Sequence, residues 1–275
     1  MAKPDHRVVN EINLRIGDKE YAIVSDDDYL NHIKPGFEPQ MVKLFNCLVS
    51  KNDHVLDVGA NIGCTSILFG ELCKRVYSFE PSPTTFGFLD KNVVSSGLTN
   101  IEIHNYALGA ETGESTITFS PNDRSGAFIS NLTKAAAGHT TEKIRIRRMD
   151  DVVDELSVRP VDFIKIDVEG FEKHLIDGAA KTIDRFKPIV VLELNHWCLN
   201  AFQRITVPDF LDYLSERFPI LLAIEGSEYA NLHDDTERYI VMYHHIIHFK
   251  YLNLVCAFSE DQIHRFHSLF RHQTC

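Results

Sequence analysis

Apolar and polar positions change rhythm along this chain near residue 53. Before it, HRVVNEINLRIG and KEYAIVS alternate as half-buried strands do, around a Gly17-Asp18 turn. Met41, Val42, Leu44, Phe45 and Leu48 then recur at helical spacing within residues 37–50. Residues 1–50 therefore read as an N-terminal extension or cap on a main domain over residues 51–275. From Asp53 strands and helices take turns. HVLDVG, RVYSFE, IEIHNYALG, VDFIKID and PIVVLEL read as strands, with GCTSILFGELC, PTTFGFLDKNVVSSG and EKHLIDGAAKTIDRF as helices between them. Near-continuous apolar strands alternating with helices imply an α/β fold, a mostly parallel sheet covered on both faces. Residues 110–160 form an insertion with two short strands, STITFS and EKIRIRRMD, placed to overhang the site. Past Val207 the pattern predicts one helix, PDFLDYLSERF, and two strands, ILLAIEG and RYIVMYHHIIHF.

Ligands of such sheets bind beyond the carboxyl ends of the strands. VLDVGANIGCTS supplies a strand, a turn with Gly59 and Gly63, and a helix start. It is not a dinucleotide fingerprint, because the glycines of G-x-G-x-x-G are misplaced, and it lacks the lysine of a phosphate-binding loop. Instead an acid stands at each strand end: Asp57, Glu80, Asp167 and Glu193. Glu80 follows Gly59 by 21 positions, where an acid reaches ribose hydroxyls. An acidic pocket suits a cationic, phosphate-free nucleoside, and S-adenosylmethionine has a sulfonium, an ammonium and a ribose. An NAD-dependent oxidoreductase is disfavoured by the glycines; a nucleoside-binding module without catalysis stays open.

Charge narrows the choice further. A formal net charge of -11 argues against broad nucleic-acid binding. No apolar run is long enough to span a bilayer. The opening MAKPDHRVVNEINLRIGDKEY has no signal core, and the six cysteines form no CxxC pair, so a cytoplasmic location is expected. Without a secretion signal, the Asn131 sequon carries no weight.

DVGANIGCTS, FEPSPTTFGFLDKN, NYALG, RRMDDVV and FIKIDVEGFEKHLIDGA occur in the order seen in the FkbM family of S-adenosylmethionine-dependent methyltransferases, which the chain resembles from about Asp53 to Glu193. Met149 replaces the family's usual leucine before Asp150 and Asp151. The resemblance implies a class I, Rossmann-like, seven-stranded sheet in the order 3-2-1-4-5-7-6, its last strand antiparallel. It implies that Asp57, Gly59, Asn61 and Gly63 contact the methionine end of the cofactor. Glu80 would bind the ribose, Asn105 to Ala107 would border the adenine, and Asp167 would lie beside the reacting centre.

The implied reaction is methyl transfer to a hydroxyl, on a sugar or glycan intermediate; a polyketide or other small-molecule alcohol is the alternative. An alcohol needs a base to take its proton. Glu169 and His196, each just past a buried strand, are the candidates, with Asp167 beside them. No metal ligand is assigned, although Asp167, Glu193 and Asn195 stand where some class I O-methyltransferases hold a divalent ion of the Mg²⁺ type. Lys165, alternating with Asp167, reads as an electrostatic partner for neighbouring acids. His244, His245 and His248 do not make a zinc site if they lie on a strand, whose successive side chains face opposite ways. Lys143, Arg145 and Arg147 give one strand a basic face, solvated or touching an acceptor phosphate. Tyr29, Phe37, Trp197 and Phe202 could stack on a sugar, with core packing the default. The oligomeric state is not legible.

Overall fold

The computed structural model describes residues 8–34, 36–133 and 136–273. Cys275 and the seven residues that open the chain lie outside them. The other five cysteines are free and buried. Among the described residues, no helix is long and apolar enough to cross a membrane.

Among the described residues the first element is an antiparallel hairpin, β1 (Asn10–Ile16) and β2 (Lys19–Ser25), followed by α1 (Tyr29–Ile33) and α2 (Pro39–Leu48). Next come β3 (His54–Val58), α3 (Cys64–Leu72), β4 (Arg75–Phe79), α4 (Pro83–Ser96) and β5 (Ile101–His104). The insertion holds β6 (Ala107–Gly109), β7 (Gly113–Ser120), β8 (Asp123–Ile129) and β9 (Thr140–Arg148). The main sheet resumes with α5 (Met149–Glu155), β10 (Phe163–Ile166), α6 (Glu172–Gly178), α7 (Ala180–Phe186) and β11 (Ile189–Glu193). The tail comprises α8 (His196–Cys198), α9 (Val207–Ser215), β12 (Ile220–Glu225), β13 (Glu228–Asn231), α10 (Asp235–His248), β14 (Asn253–Ala257), α11 (Phe266–Leu269) and β15 (Arg271–His272).

The main sheet has nine strands, two more than expected, in the order β15-β13-β12-β14-β11-β10-β3-β4-β5. From β5 to β12 its seven strands run 3-2-1-4-5-7-6. β5, β4, β3, β10 and β11 are parallel, and β14 is antiparallel to both β11 and β12. Alternate residues of each strand feed two separate cores. Leu56, Ile164, Val190, Leu192 and Leu254 pack under α5, α6, α7, α9 and α10. Val55, Val76, Phe163, Val191 and Val255 pack under α2 and α3. Burial of both faces is why these strands read as unbroken apolar runs.

The N-terminal hairpin belongs to the second core through Leu14, Ile16 and Ile23. Asn92 of α4, fully buried, ties it down: its side chain accepts from Val24 N at 2.8 Å and donates to Val24 O at 3.1 Å. The same amide donates to Ile62 O at 2.8 Å, joining the hairpin to the glycine turn.

Three elements differ from the sequence reading. IEIHNYALG is two strands: β5 ends the main sheet, while β6 joins a separate four-stranded sheet, β6-β9-β7-β8. EKHLIDGAAKTIDRF breaks at Ala179 into α6 and α7. Buried Asp150, distant in sequence, accepts from Thr182 N at 2.9 Å in the first turn of the second helix. RYIVMYHHIIHF is not a strand but most of α10, capped by Asp234, which accepts from Thr236 N and Glu237 N. Val241 and His245, one turn apart, are buried, while Tyr239, Tyr243, Ile246 and Ile247 are exposed. Apolar residues around the helix imitate a strand pattern. The strand itself is NLVCA, β14.

Candidate functional site

The turn after β3 is held from three sides. Gly59 has φ +80°, and a Cβ there would meet Asp167 O at 1.8 Å. Only glycine lets the end of β10 come this close. Gly59 N and Ala60 N both donate to Phe79 O at 3.0 Å. Lys165 Nζ donates to Gly59 O at 2.8 Å. Gly63, φ +97°, serves packing, since a Cβ there would meet Leu89 Cδ1 at 2.7 Å. It lines neither of the two cavities at the strand ends.

Asp57 also lines neither cavity. It is fully buried, accepts from Ser66 Oγ at 2.6 Å and stands 3.6 Å from Lys165 Nζ. Burial raises its carboxyl's pKa, against the pull of Lys165. Lys165 also reaches Asp167 at 3.3 Å. Burial pulls the ammonium down, but Asp167 and Asp57 more than offset this and hold it above its ordinary value.

Glu80 sits at the cleft with both oxygens oriented by backbone. Oε2 accepts from Asn61 N at 3.1 Å and Oε1 from Ser82 N at 2.9 Å. Each oxygen keeps a lone pair for a ligand hydroxyl. Burial pushes the carboxyl up to about 8. Asn105 lines neither cavity; its amide donates to Glu80 O at 2.9 Å and Pro81 O at 3.1 Å, so it shapes the loop that carries Glu80. Ala107 does line the cleft.

The cleft consists of two adjoining cavities of about 280 and 250 Å³, sharing Tyr29, Glu38, Gly59, Asn61, Asp167 and Glu193. The larger lies toward α2, β10 and β11, with Met41, Thr65 and Lys165. The other lies under the insertion, with Glu80, Ala107, Arg124, Ile129, Glu169 and Phe171. The insertion lines the cleft through Ile117 of β7 and through β8, a strand hidden in its polar stretch. Arg124 ties it to the N-terminal segment by ion pairs to Asp26 and Asp27.

One carboxylate oxygen each from Asp167, Glu169 and Glu193 lies within 4.8 Å of the others, a set that could hold a divalent cation. Burial, then Asp167, lifts Glu169 to about 7 and Glu193 to about 10. Glu193 Oε2 is buried with no hydrogen-bond partner among the described residues. Glu169 has φ +49° and accepts from Cys198 Sγ at 3.0 Å and Asn195 Nδ2 at 3.5 Å. Behind them, buried Glu172 accepts from Gly170 N at 3.1 Å and is lifted to about 8 by burial.

His196 is not part of this group. It lines neither cavity and packs against Phe249 at 4.6 Å and His245 at 5.0 Å, ring to ring. His245 Nδ1 donates to Lys250 O at 2.6 Å, which leaves Nε2 to accept from His196 N. His244, His245 and His248 therefore lie on a helix, and His245 is a buried structural group. Lys143, Arg145 and Arg147 line neither cavity, and Arg147 pairs with Glu155. Phe37, Trp197 and Phe202 also lie outside them. The sequence reading missed Glu38 and Arg124; of the four aromatics it offered for stacking on a sugar, Tyr29 lines both cavities.

The fold and the cleft define a Rossmann-like α/β protein with an acid-walled, nucleoside-sized ligand site. The chain belongs to the FkbM methyltransferase family: the Methyltransferase FkbM domain model matches residues 57–240. It is 26% identical to the hexuronic acid methyltransferase AglP of Haloferax volcanii, over 56% of this chain and 61% of that protein. It is 28% identical to the 31-O-demethyl-FK506 methyltransferase FkbM of Streptomyces tacrolimicus, over 46% and 59%. The chain thus spans about three-fifths of the length of these curated relatives. A crystal structure of an FkbM methyltransferase from Methylobacillus flagellatus aligns at 21% identity and TM-score 0.43, over 62% of this chain and 38% of that one.

Proposed function

We propose that this protein transfers a methyl group from S-adenosylmethionine to a hydroxyl of a sugar or glycan intermediate. The observation that carries the reading is the wall of carboxylates around the Gly59 turn, Glu80 foremost. The cofactor, when bound, supplies an activated methyl group on a cationic sulfur. Glu80 would accept the ribose hydroxyls, and Asp167 would face the positive charge. Asn61, Gly59 and the apolar surface of Ala107, Ile129 and Phe171 would complete that side.

Toward the acceptor, the environment separates two carboxyls in role. Glu169, near 7, takes the hydroxyl proton as general base. Glu193, near 10, keeps its own proton at neutral pH and donates a hydrogen bond to the acceptor oxygen. Tyr29, Glu38 and Met41 of the N-terminal segment act as a wall of the acceptor site. That one relative is named for a hexuronic acid substrate supports a sugar acceptor.

Calorimetric titration with S-adenosylhomocysteine, with and without Mg²⁺, tests the reading. Binding on the order of micromolar is expected in both buffers. No binding in either would sink it in favour of a non-catalytic fold. Binding only with Mg²⁺ would assign Asp167, Glu169 and Glu193 to a metal instead of to proton transfer.

A further inference from the structure

We propose that the outer face of α10 is a dimer interface. It docks on the same face of a second copy of this chain, the two helices antiparallel about a twofold axis near Tyr243. The residues involved line neither cavity, so this surface is separate from the ligand site.

Among the described residues eleven large apolar side chains are exposed, and five of them stand between positions 239 and 249. Tyr239 is 67% exposed, Tyr243 52%, Ile246 46% and Ile247 59%, with Phe249 at 45% just past the helix. Their spacing puts the four helical ones on one face, opposite buried Val241 and His245. Apolar side chains exposed singly need no partner, but a contiguous stripe marks an interaction surface. Tyrosine is enriched at such surfaces, its ring apolar and its tip polar.

Charge at the two ends of the helix selects the occupant. Asp235 stands eight positions before Tyr243, and Lys250 seven positions after it. Both are exposed, and neither makes an ion pair among the described residues. Twofold contacts use one patch on both copies, so the patch must complement itself. Turning a second copy about an axis through Tyr243 reverses its helix. Asp235 then faces the partner's Lys250 at each end, and Tyr239 meets the partner's Ile247. Opposite ends of the two helix macrodipoles also come side by side. Parallel pairing would bring like charges together instead.

The area suffices for a reversible pair. Five side chains at these exposures offer roughly 500 Å² per copy, or about 1,000 Å² in all, the lower end for a specific interface. A lipid surface suits this face less well. A helix lying on a membrane needs a polar face rich in Lys and Arg. The cation that α10 carries besides histidine is Arg238, which is paired with Asp212.

Sedimentation velocity of the full chain at a series of concentrations tests the pairing. A monomer–dimer equilibrium with Kd on the order of 10 µM is expected. Tyr243→Asp should weaken it about a hundredfold or more, because it sets two like charges together at the axis, while the circular dichroism spectrum stays that of the wild type. Ile247→Glu gives a second reading in case Tyr243→Asp does not fold. Lys250→Asp should weaken the dimer about tenfold, and adding Asp235→Lys to the same chain should restore it. A chain that stays monomeric at every concentration overturns the proposal, as does a dimer that Tyr243→Asp and Ile247→Glu leave intact. A dimer that the charge exchange fails to restore overturns the antiparallel pairing. A monomer that binds phosphatidylcholine vesicles through Tyr243 assigns the face to lipid and overturns the proposal too.

Discussion

Lys165 Nζ donates to the carbonyl of Gly59 at 2.8 Å, joining the end of β10 to the turn after β3. The same ammonium neutralises Asp57 beneath the turn and touches Asp167 above it. The glycine turn keeps its shape because a buried cation sits at its centre. Lys165→Met should destabilise the protein by about 3–5 kcal/mol, since it strands Asp57 as an unpaired buried charge. The double variant with Asp57→Asn should recover much of the loss. Urea midpoints decide: a single variant of wild-type stability would mean the ion pair holds nothing.

Glu80→Ala should weaken S-adenosylhomocysteine binding about tenfold to a hundredfold, the value of about two hydrogen bonds to the ribose hydroxyls. It also frees Asn61 N and Ser82 N, so part of the loss comes from the turn. Unchanged affinity in a folded variant would remove Glu80 from the cofactor site.

Stability should fall as pH rises. Folding lifts the Glu80 and Glu172 carboxyls to about 8 and Glu193 to about 10, from an ordinary value of 4.5. Between those limits the folded chain binds protons that the unfolded chain has lost, so stability declines with increasing pH. Melting temperature of the ligand-free protein should drop between about pH 6 and 9, and less steeply in Glu193→Gln. A flat or rising profile would show these groups ionised in the fold.

Glu169→Gln should lower turnover by about 10² to 10⁴, the usual contribution of a general base, with little change in S-adenosylhomocysteine affinity. His196→Ala should leave turnover near wild type, because the ring packs on His245 and Phe249 away from the cleft. The reverse pattern would return the base to His196.

Local patterns in the chain reveal the parallel strands and the helices between them. HVLDVG, RVYSFE, VDFIKID and PIVVLEL signal buried strands because both faces of that sheet are covered. The acids at Glu80, Asp167, Glu169 and Glu193 are legible for a related reason: side chains at strand ends converge on the crevice by topology alone. In the tail, the same apolar cues mislead. Tyr239, Tyr243, Ile246 and Ile247 on an exposed helix face make α10 look like a strand.

What the sequence by itself determined was therefore the α/β rhythm, the glycine turn and the acids beside it, all set by neighbours within a few positions. Tertiary structure alone decided which of these groups face the cleft. Asp57 turns inward to Lys165, and Asn105 reaches the carbonyl of Glu80. Tyr29, Glu38 and Arg124 arrive from segments far along the chain. A residue's spacing sets its side of a strand, but whether that side meets a ligand or a buried partner depends on contacts between distant elements.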